Sequence, residues 1–476
     1  MRRFAANVVS ASAGIVGSIL LGLAIQVAIA RAVGVESFGV YGFGLAYVAL
    51  WQVLMDGGTG VLATREARAA DSAVLRALVS LKPAMLIVGY GGLLTVAWWA
   101  GFESVIWRVI VVLGFQAAGL AMMVFGISVF RGHEEFGTEA IFLVAQRLLF
   151  GLLVAAVLVG DGGVFGVSGA GAISYAVVAV CVFALLGRRH GIRARFDAPA
   201  LRAHGAALLR SIGPLMLADA LAQAQMRSGQ VILPFTRGMA EVGLYTVARR
   251  LVEGLNLLPS TFAMTLFPRL VSAWRGDRAL LPARLQVGLR FAGSVAVVAL
   301  LGGLVWAGEL VRTLFGPDYV GSAPVLRVLV GDLVIMSVNA VLVLAMIAVG
   351  RERAYAVALT AAAATSVAGN LLLTPRLGAM GAAWAALAGD GVLCVACLLV
   401  LLRVVSGFVP LKEWTALAVT GSAALVLLFG LKQVSAPVAA VLTVLIVVVG
   451  FQVASPIGVR EILALRIREP LDRTEA

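Results

Sequence analysis

Apolar residues run along this chain in blocks of about twenty, broken by short polar turns, and that spacing predicts helices that cross a lipid bilayer. The runs cover residues 8–33, 40–56, 83–101, 104–130, 140–160, 166–187, 213–236, 241–266, 288–307, 324–349, 354–374, 379–402, 413–431 and 436–454. The expected fold is all-α and integral to the membrane, with about fourteen transmembrane helices. The longest connections in this reading are residues 188–212 and 267–287. None is long enough for a separate soluble domain.

The pattern repeats. Displaced by about 204 residues, GVESFGVYGFGLAYV from Gly34 to Val48 falls on GMAEVGLYTVARRLV from Gly238 to Val252, matching Gly34 to Gly238, Gly39 to Gly243 and Tyr41 to Tyr245. A second echo, displaced by about 212, sets GVSGA at Gly166 on GAMGA at Gly378. Repeated helical halves predict two pseudo-repeated six-helix lobes, an arrangement used by transporters. Residues 1–190 would form an N-lobe of helices 1–6, followed by a cytoplasmic inter-lobe loop at 191–212. Residues 213–403 would form a C-lobe of helices 7–12, and 404–476 would add helices 13 and 14 with a cytoplasmic tail.

Composition agrees: 61% of residues are apolar and 13% charged, a balance suited to lipid contact rather than to a water-exposed surface. The net charge of +13 suggests a nucleic-acid partner only until the arginines are placed. With the amino terminus inside, about 26 of the 37 Lys and Arg fall on the inner side and about seven on the outer, so the positive-inside rule accounts for the charge. Both termini are then cytoplasmic, no nucleic acid is implied, and anionic membrane lipids are the natural contacts. Residues 1–34 read as a retained first helix: the apolar run is too long for a signal peptide, and Gln26 and Arg31 occupy the place of a cleavage region. Cys181, Cys394 and Cys397 fall inside spans and read as small apolar residues, while His133, His190 and His204 fall in inner loops without metal-ligand spacing.

A charged residue in mid-span is costly unless it faces protein or water, so such residues mark candidate sites. Asp219, Gln223, Arg227 and Gln230 stack on one face of helix 7, and Arg249, Glu253, Asn256 and Ser260 on one face of helix 8, with Arg250 alongside. Helix 1 carries Asn7, Ser10, Gly14, Ser18, Gly22 and Gln26 at nearly four-residue spacing, equally suited to close packing or to lining a path. Arg147, Asp332 and Asp390 are isolated charges in helices 5, 10 and 12. The two seams admit an internal salt-bridge network, such as Asp219 with Arg227 or Arg249 with Glu253, or a site for an anion. Counting favours the anion: Arg31, Arg147, Arg227, Arg249 and Arg250 outnumber the nearby acids, and the planar guanidinium fork suits phosphate.

Four segments carry a family likeness: FGVYGFGLAYVALWQVLMDGGTGVLATRE (38–66), VGLYTVARRLVEGLNLLPSTFAMTLFPRLVSA (242–273), LVRTLFGPDYVGSAPVLRVL (310–329) and NLLLTPRLGAMGAAWAALAGD (370–390). In content and order the chain resembles bacterial oligosaccharide-lipid flippases, the polysaccharide export branch of the multidrug/oligosaccharidyl-lipid/polysaccharide exporter superfamily. The resemblance implies alternating opening of two lobes around a cationic cavity that carries an isoprenoid-pyrophosphate-linked oligosaccharide outward. It implicates Gln26, Arg31, Asp56, Arg249 and Arg250 at matching positions. Where many relatives place an acid ahead of the run matching VILPF, this chain has Arg227, Ser228 and Gly229, which leaves Asp219 as the acid nearest to that role.

The expected function is therefore a flippase for surface polysaccharide biosynthesis in a bacterial inner membrane, not an enzyme. Gln26, Arg31, Arg147, Gln223, Arg227, Gln230, Arg249, Arg250 and Asn256 are the expected substrate-binding residues; Asp56, Asp219, Glu253 and Asp390 are candidates for coupling or gating. No cofactor is expected, and no phosphate-cradling Walker loop is present in the sequence, so the drive would come from the membrane potential or from a proton or sodium ion. Polysaccharide polymerase machinery is an expected partner. The competing readings are a drug or ion antiporter of the same superfamily, whose cationic substrates call for fewer cavity arginines, and a membrane glycosyltransferase or polymerase, which calls for a larger outer loop with carboxylates.

The arginine asymmetry makes a topological prediction. Single cysteines placed near Arg193 and Arg278 should react with an impermeant thiol reagent only after the inner membrane is opened, whereas one near Asp318 should react in intact spheroplasts. Labelling of position 193 from outside would reverse the assigned orientation.

Overall fold

A computed structural model describes residues 2–67, 73–192, 195–409, 414, 415 and 422, with side chains from residue 21 onward. Helices dominate it, and the described residues contain no strand. In chain order they are α1 (Arg2–Asp56), α2 (Thr59–Glu66), α3 (Ala73–Trp99), α4 (Ser104–Gly132), α5 (Phe136–Val159), α6 (Gly163–Arg189), α7 (Ala198–Ile232), α8 (Pro234–Arg237), α9 (Met239–Arg275), α10 (Leu281–Phe315), α11 (Ser322–Ala348), α12 (Glu352–Leu377) and α13 (Ala379–Leu402). Among the described residues ten helical stretches are long and apolar enough to cross a membrane. α9, with 37 residues, is long enough but is not among them, because it carries the polar seam of helix 8. The first twelve expected spans fall on these helices, the first two within α1; the thirteenth, apart from residues 414, 415 and 422, and the fourteenth lie outside the described residues.

Both long connections are shorter than the apolar pattern predicts. Residues 198–212 are helical, since α7 begins at Ala198, where the Asp197 side chain accepts a bond from the Ala200 amide at 2.9 Å as an N-cap. α9 likewise runs on to Arg275 and α10 begins at Leu281. A span read from apolarity ends where arginines begin, but the backbone bonds of a helix continue into polar sequence, and Arg202 and Arg210 lie exposed on the extension of α7. Asp197 also pairs with Arg76 at 3.0 Å; the Ala200 amide bond, backed by Arg76, holds its carboxyl below the usual range against the effect of desolvation.

Contacts divide the chain into two compact units. The first comprises Met1–Gly254, Leu310–Val325 and Leu359–Gly389. There α4 packs on α6 and α1, and α7 packs on α1 and α3. Its core includes Leu78, Phe125, Phe130, Val182, Leu186 and Ile212, all buried. At the far end of α3, Trp98 and Trp99 are exposed, as in an interfacial aromatic belt. The second unit comprises Leu255–Glu309, Leu326–Ala358 and Asp390–Ala476. In it Phe262 stacks on Phe291 at 4.0 Å, Gly288 faces Leu266 and Val341, and the Asn339 amide donates to the Asp390 carbonyl at 3.0 Å.

The sequence repeat is visible in the first unit as a helix crossing. α1 breaks at Gly34 (φ 79°, ψ 170°), and the chain between α8 and α9 turns at Gly238 (φ 86°, ψ 176°), the matching position. Both need the positive φ that glycine adopts without strain. One turn beyond each break the helices meet backbone to backbone: a Cβ on Gly39 would collide with the Met239 carbonyl, and one on Gly243 with the Val35 carbonyl. Val35 and Met239 are themselves repeat partners, so the contact is reciprocal, as at a local pseudo-twofold axis. A bulky side chain at either glycine must push the helices apart.

Gly39→Val or Gly243→Val should therefore destabilise the protein by about 1–3 kcal/mol or more, the usual penalty of overpacking. Gly302→Ala, where a Cβ meets nothing within 4 Å, should be neutral or slightly stabilising. Thermal unfolding of the purified protein in detergent measures both; equal midpoints for all three variants would refute the crossing.

Candidate functional site

The glycine crossing sets the register of the turns beyond it. Gly42 lies against Thr246, its repeat partner, and Thr246 Oγ1 accepts a bond from Gln230 Nε2 of α7 at 3.1 Å. Three and four residues farther along α9 come Arg249 and Arg250, about 15 Å along the helix from its start. One turn later Glu253 accepts from several guanidinium groups: Arg227 Nη1 of α7 at 2.9 Å on Oε1, and Arg250 Nη1 at 3.2 Å on Oε2, with Arg249 Nε 3.5 Å from Oε1. Side-chain exposure is 19% for Glu253 and Arg227, 24% for Arg250 and 2% for Arg249. The seams of helices 7 and 8 thus meet through one carboxylate. Arg227 is not paired with Asp219; its carboxylate partner is Glu253.

Three guanidinium groups thus converge on one carboxylate in a poorly solvated place. Charges there interact far more strongly than in water, and a cation left without a counter-charge is costly. The Nε groups of Arg227 and Arg250 are buried without a hydrogen-bond acceptor, so each keeps a donor in reserve.

The other expected residues have different surroundings. Gln26 hydrogen-bonds Tyr41, which also lies in the field of Arg250, and the Gln26 Oε1 atom has no partner. Arg147 of α5 lies against Gly22 and beside Tyr175. Arg31 lies elsewhere: it donates to the Leu314 carbonyl at 2.8 Å and to the Thr313 carbonyl, so it caps the last turn of α10. Arg237 caps α12 in the same way through the Pro375 and Arg376 carbonyls. Gln223 bonds Asp219, which is exposed on α7. Asn256 lies one turn beyond Glu253 on α9, within the second unit, and its Oδ1 has no partner. Asp390 is bound by Asn339 in the second unit, and Asp332 is fully buried. The side chains of Asn7, Ser10, Gly14 and Ser18 lie outside the described residues.

Sequence patterning does not expose Lys82. The apolar run starts at residue 83, but α3 begins at Ala73, which puts Lys82 well inside the helix and 1% exposed. Its Nζ donates to Asp56 Oδ1 at 3.1 Å and to the Met55 and Asp56 carbonyls at 3.0 and 3.2 Å, and lies 5.5 Å from the Phe125 ring. Asp56 is therefore the partner of a buried lysine. The sequence does hold a signal for the pair: Asp56 at one helix end and Lys82 at the next are opposite charges on adjacent elements. Tyr41 is legible as a repeat position but not as a neighbour of the arginines. The histidines differ too. His133 and His190 stack at 3.9 Å, and His190 Nε2 lies 2.8 Å from Glu135, which Arg189 also binds; among the described residues no group holds three metal-ligating side chains. Burial alone would raise the Glu135 carboxyl, but bonds from Thr138, His190 and Arg189 outweigh it and hold the group below the usual range.

Solved structures share this architecture. One titled as a lipid II flippase, MurJ, in an inward closed conformation is 13% identical, with 95% of this chain and 99% of that chain covered and a TM-score of 0.78. An inward-facing multidrug resistance MATE family transporter of the MOP superfamily is 16% identical over 88% of this chain and 96% of its own, with a TM-score of 0.62. An outward-facing one is 17% identical over 82% and 93%, with a TM-score of 0.58. Among curated protein sequences none matches this chain. At these identities the likeness establishes the fold. The sequence profile described as "Polysaccharide biosynthesis protein" matches residues 4–274, more than half of the chain, and the chain therefore belongs to that family.

Proposed function

We propose that the chain is a flippase that carries an isoprenoid-pyrophosphate-linked oligosaccharide from the inner to the outer leaflet of a bacterial inner membrane, by alternating access, for surface polysaccharide synthesis. The observation that carries this reading is the Glu253 cluster, where three arginines share one carboxylate. A pyrophosphate diester carries two negative charges, and the spare donors of Arg227 and Arg250 suit its oxygens. Glu253 then serves as the resident anion of the empty site, holding the guanidinium groups ready and yielding part of its hold when phosphate oxygens arrive. Gln26, Gln223, Gln230 and Asn256 are the amide groups available for sugar hydroxyls, and Arg147 supplies a further cation on the N-terminal side.

Family membership and the fold shared with a lipid II flippase support the substrate class, and inward- and outward-facing structures of that fold support the transport cycle. A drug antiporter of the same superfamily is disfavoured by the same charge count, since a net-positive cluster repels a cationic drug. Outward movement of two negative charges down the membrane potential releases about 2.3 kcal/mol per charge per 100 mV. Asp219, Glu253 and Asp390 are the acids through which a proton or sodium ion would couple, and polymerase machinery is the partner that would receive the exported lipid.

Replacing Arg249 and Arg250 together by alanine removes two charge-assisted contacts of about 1.5–3 kcal/mol each, and transport should fall by about 100-fold or more. Such cells should still assemble the complete lipid-linked oligosaccharide but retain it on the cytoplasmic leaflet. Leaflet-specific access of a sugar-modifying probe in spheroplasts, with mass analysis of extracted lipids, reads both. Truncated or unpolymerised sugars would point to an enzyme, and full-length units readily reached from outside would exclude the flippase.

A further inference from the structure

A second feature lies within the first unit, on elements that do not carry the arginine cluster. α4 and α6 approach so closely at Gly119 that a Cβ there would sit 3.1 Å from Tyr175 Cβ and 3.2 Å from the Ala176 amide nitrogen. Small residues, including Gly119, Ala172 and Ala176, therefore form the floor of a trough along the two helices, and large ones such as Phe115, Ile173 and Phe183 form its walls. The trough has a volume of about 1170 Å³, above the usual range of about 300–1,000 Å³ for small-molecule sites. Its lining is apolar apart from one charged residue, Arg188, at the C-terminal end of α6.

The charges at that end are not equivalent. Arg189 is bound by Glu135 at 2.9 Å, and Arg131 by Glu139. Arg188 is exposed and has no carboxylate partner among the described residues. A smaller cavity of about 130 Å³ adjoins, sharing Met122 and Phe183 with the trough and lined also by Ser80, Lys82, Arg195 and Phe196. An apolar trough long enough for hydrocarbon chains thus ends beside an unpaired guanidinium, with a small recess adjoining it. By the arginine asymmetry this end is cytoplasmic, where anionic head groups are concentrated.

We propose that the trough between α4 and α6 holds one anionic glycerophospholipid of the cytoplasmic leaflet, its phosphate on Arg188 and its acyl chains along the floor at Gly119 and Ala176. The site is separate from the transport site: its lining comes from α3, α4 and α6, whereas the arginine cluster is built on α7 and α9. The lipid site stands whichever substrate the protein carries. A single free cation and a recess of this size suit one phosphate better than a pyrophosphate with an oligosaccharide.

Native mass spectrometry of the purified full-length chain, titrated with dioleoyl phosphatidylglycerol or dioleoyl phosphatidylcholine, tests the proposal. The wild type should prefer the anionic lipid by about fivefold, the effect of one near-surface guanidinium. Arg188→Gln should abolish that preference, and Arg189→Gln, whose charge is already neutralised by Glu135, should keep it. Ala176→Phe, an exchange on an exposed floor position, should weaken retention of both lipids, and Val180→Phe in the same wall provides a second filling variant should the first fail to fold. Equal losses for the Arg188 and Arg189 variants would reduce the effect to general surface charge. Unchanged retention with the trough filled, or one-for-one displacement of phosphatidylglycerol by a polyprenyl pyrophosphate, would overturn the assignment.

Discussion

The close backbone crossing of α1 and α9 at Gly39 and Gly243 is the constraint on which the site depends. Two helices can approach until carbonyl meets Cα only where no side chain intervenes, and in lipid such contact replaces the hydrophobic drive that brings helices together in water. Once that contact is fixed, helical geometry places the next turns of both helices. Gly42 meets Thr246, Thr246 receives Gln230 from α7, and Tyr41 comes to lie near Arg250. Positive-φ glycines at Gly34 and Gly238 start both helices at equivalent points, so the repeat in the sequence becomes a symmetric contact in space.

Much of this was legible in the sequence. Apolar run length gave twelve of the spans now seen as helices, because lipid imposes a length that sequence must satisfy. The internal repeat gave the glycine pairs, and four-residue spacing gave the polar faces of α7 and α9. Pairing across helices was not legible. Spacing places Arg227 on a face with Asp219, but only the packing of α7 against α9 shows that its carboxylate is Glu253. Arg31 reads as a cavity cation by its depth and motif, whereas the helix end it faces, at Thr313 and Leu314, lies some 280 residues away and leaves no local trace. Lys82 was hidden by the opposite effect: a lysine next to a proline marks the edge of an apolar run, although the helix had begun nine residues earlier.

Two buried charge arrangements share this fold and differ in kind. Lys82 and Asp56 are matched one to one, and the lysine's remaining donors are taken by two carbonyls of α1. Such a pair is electrically closed; it joins α3 to α1, and breaking it by removing one partner leaves a charge that costs about 3–5 kcal/mol. The Glu253 cluster gathers three guanidinium groups on one carboxylate, and Arg227 and Arg250 in it retain donors without acceptors. A closed structural network has no use for those spare donors; the proposed anion site does.

The same logic explains why α9 alone among the long described helices fails the apolarity of a membrane span. A helix facing lipid would be stabilised by losing Arg249, Arg250 and Glu253. In the proposed flippase, retaining all three would tie the cost of desolvation to the affinity of the site: the less water reaches the guanidinium groups, the more strongly they would interact with phosphate oxygens. Glu253 would moderate that affinity. Each departing oxygen would have a carboxylate oxygen to take its place on the same arginines, so that the empty and loaded sites would differ by an exchange of anions rather than by the exposure of naked charge.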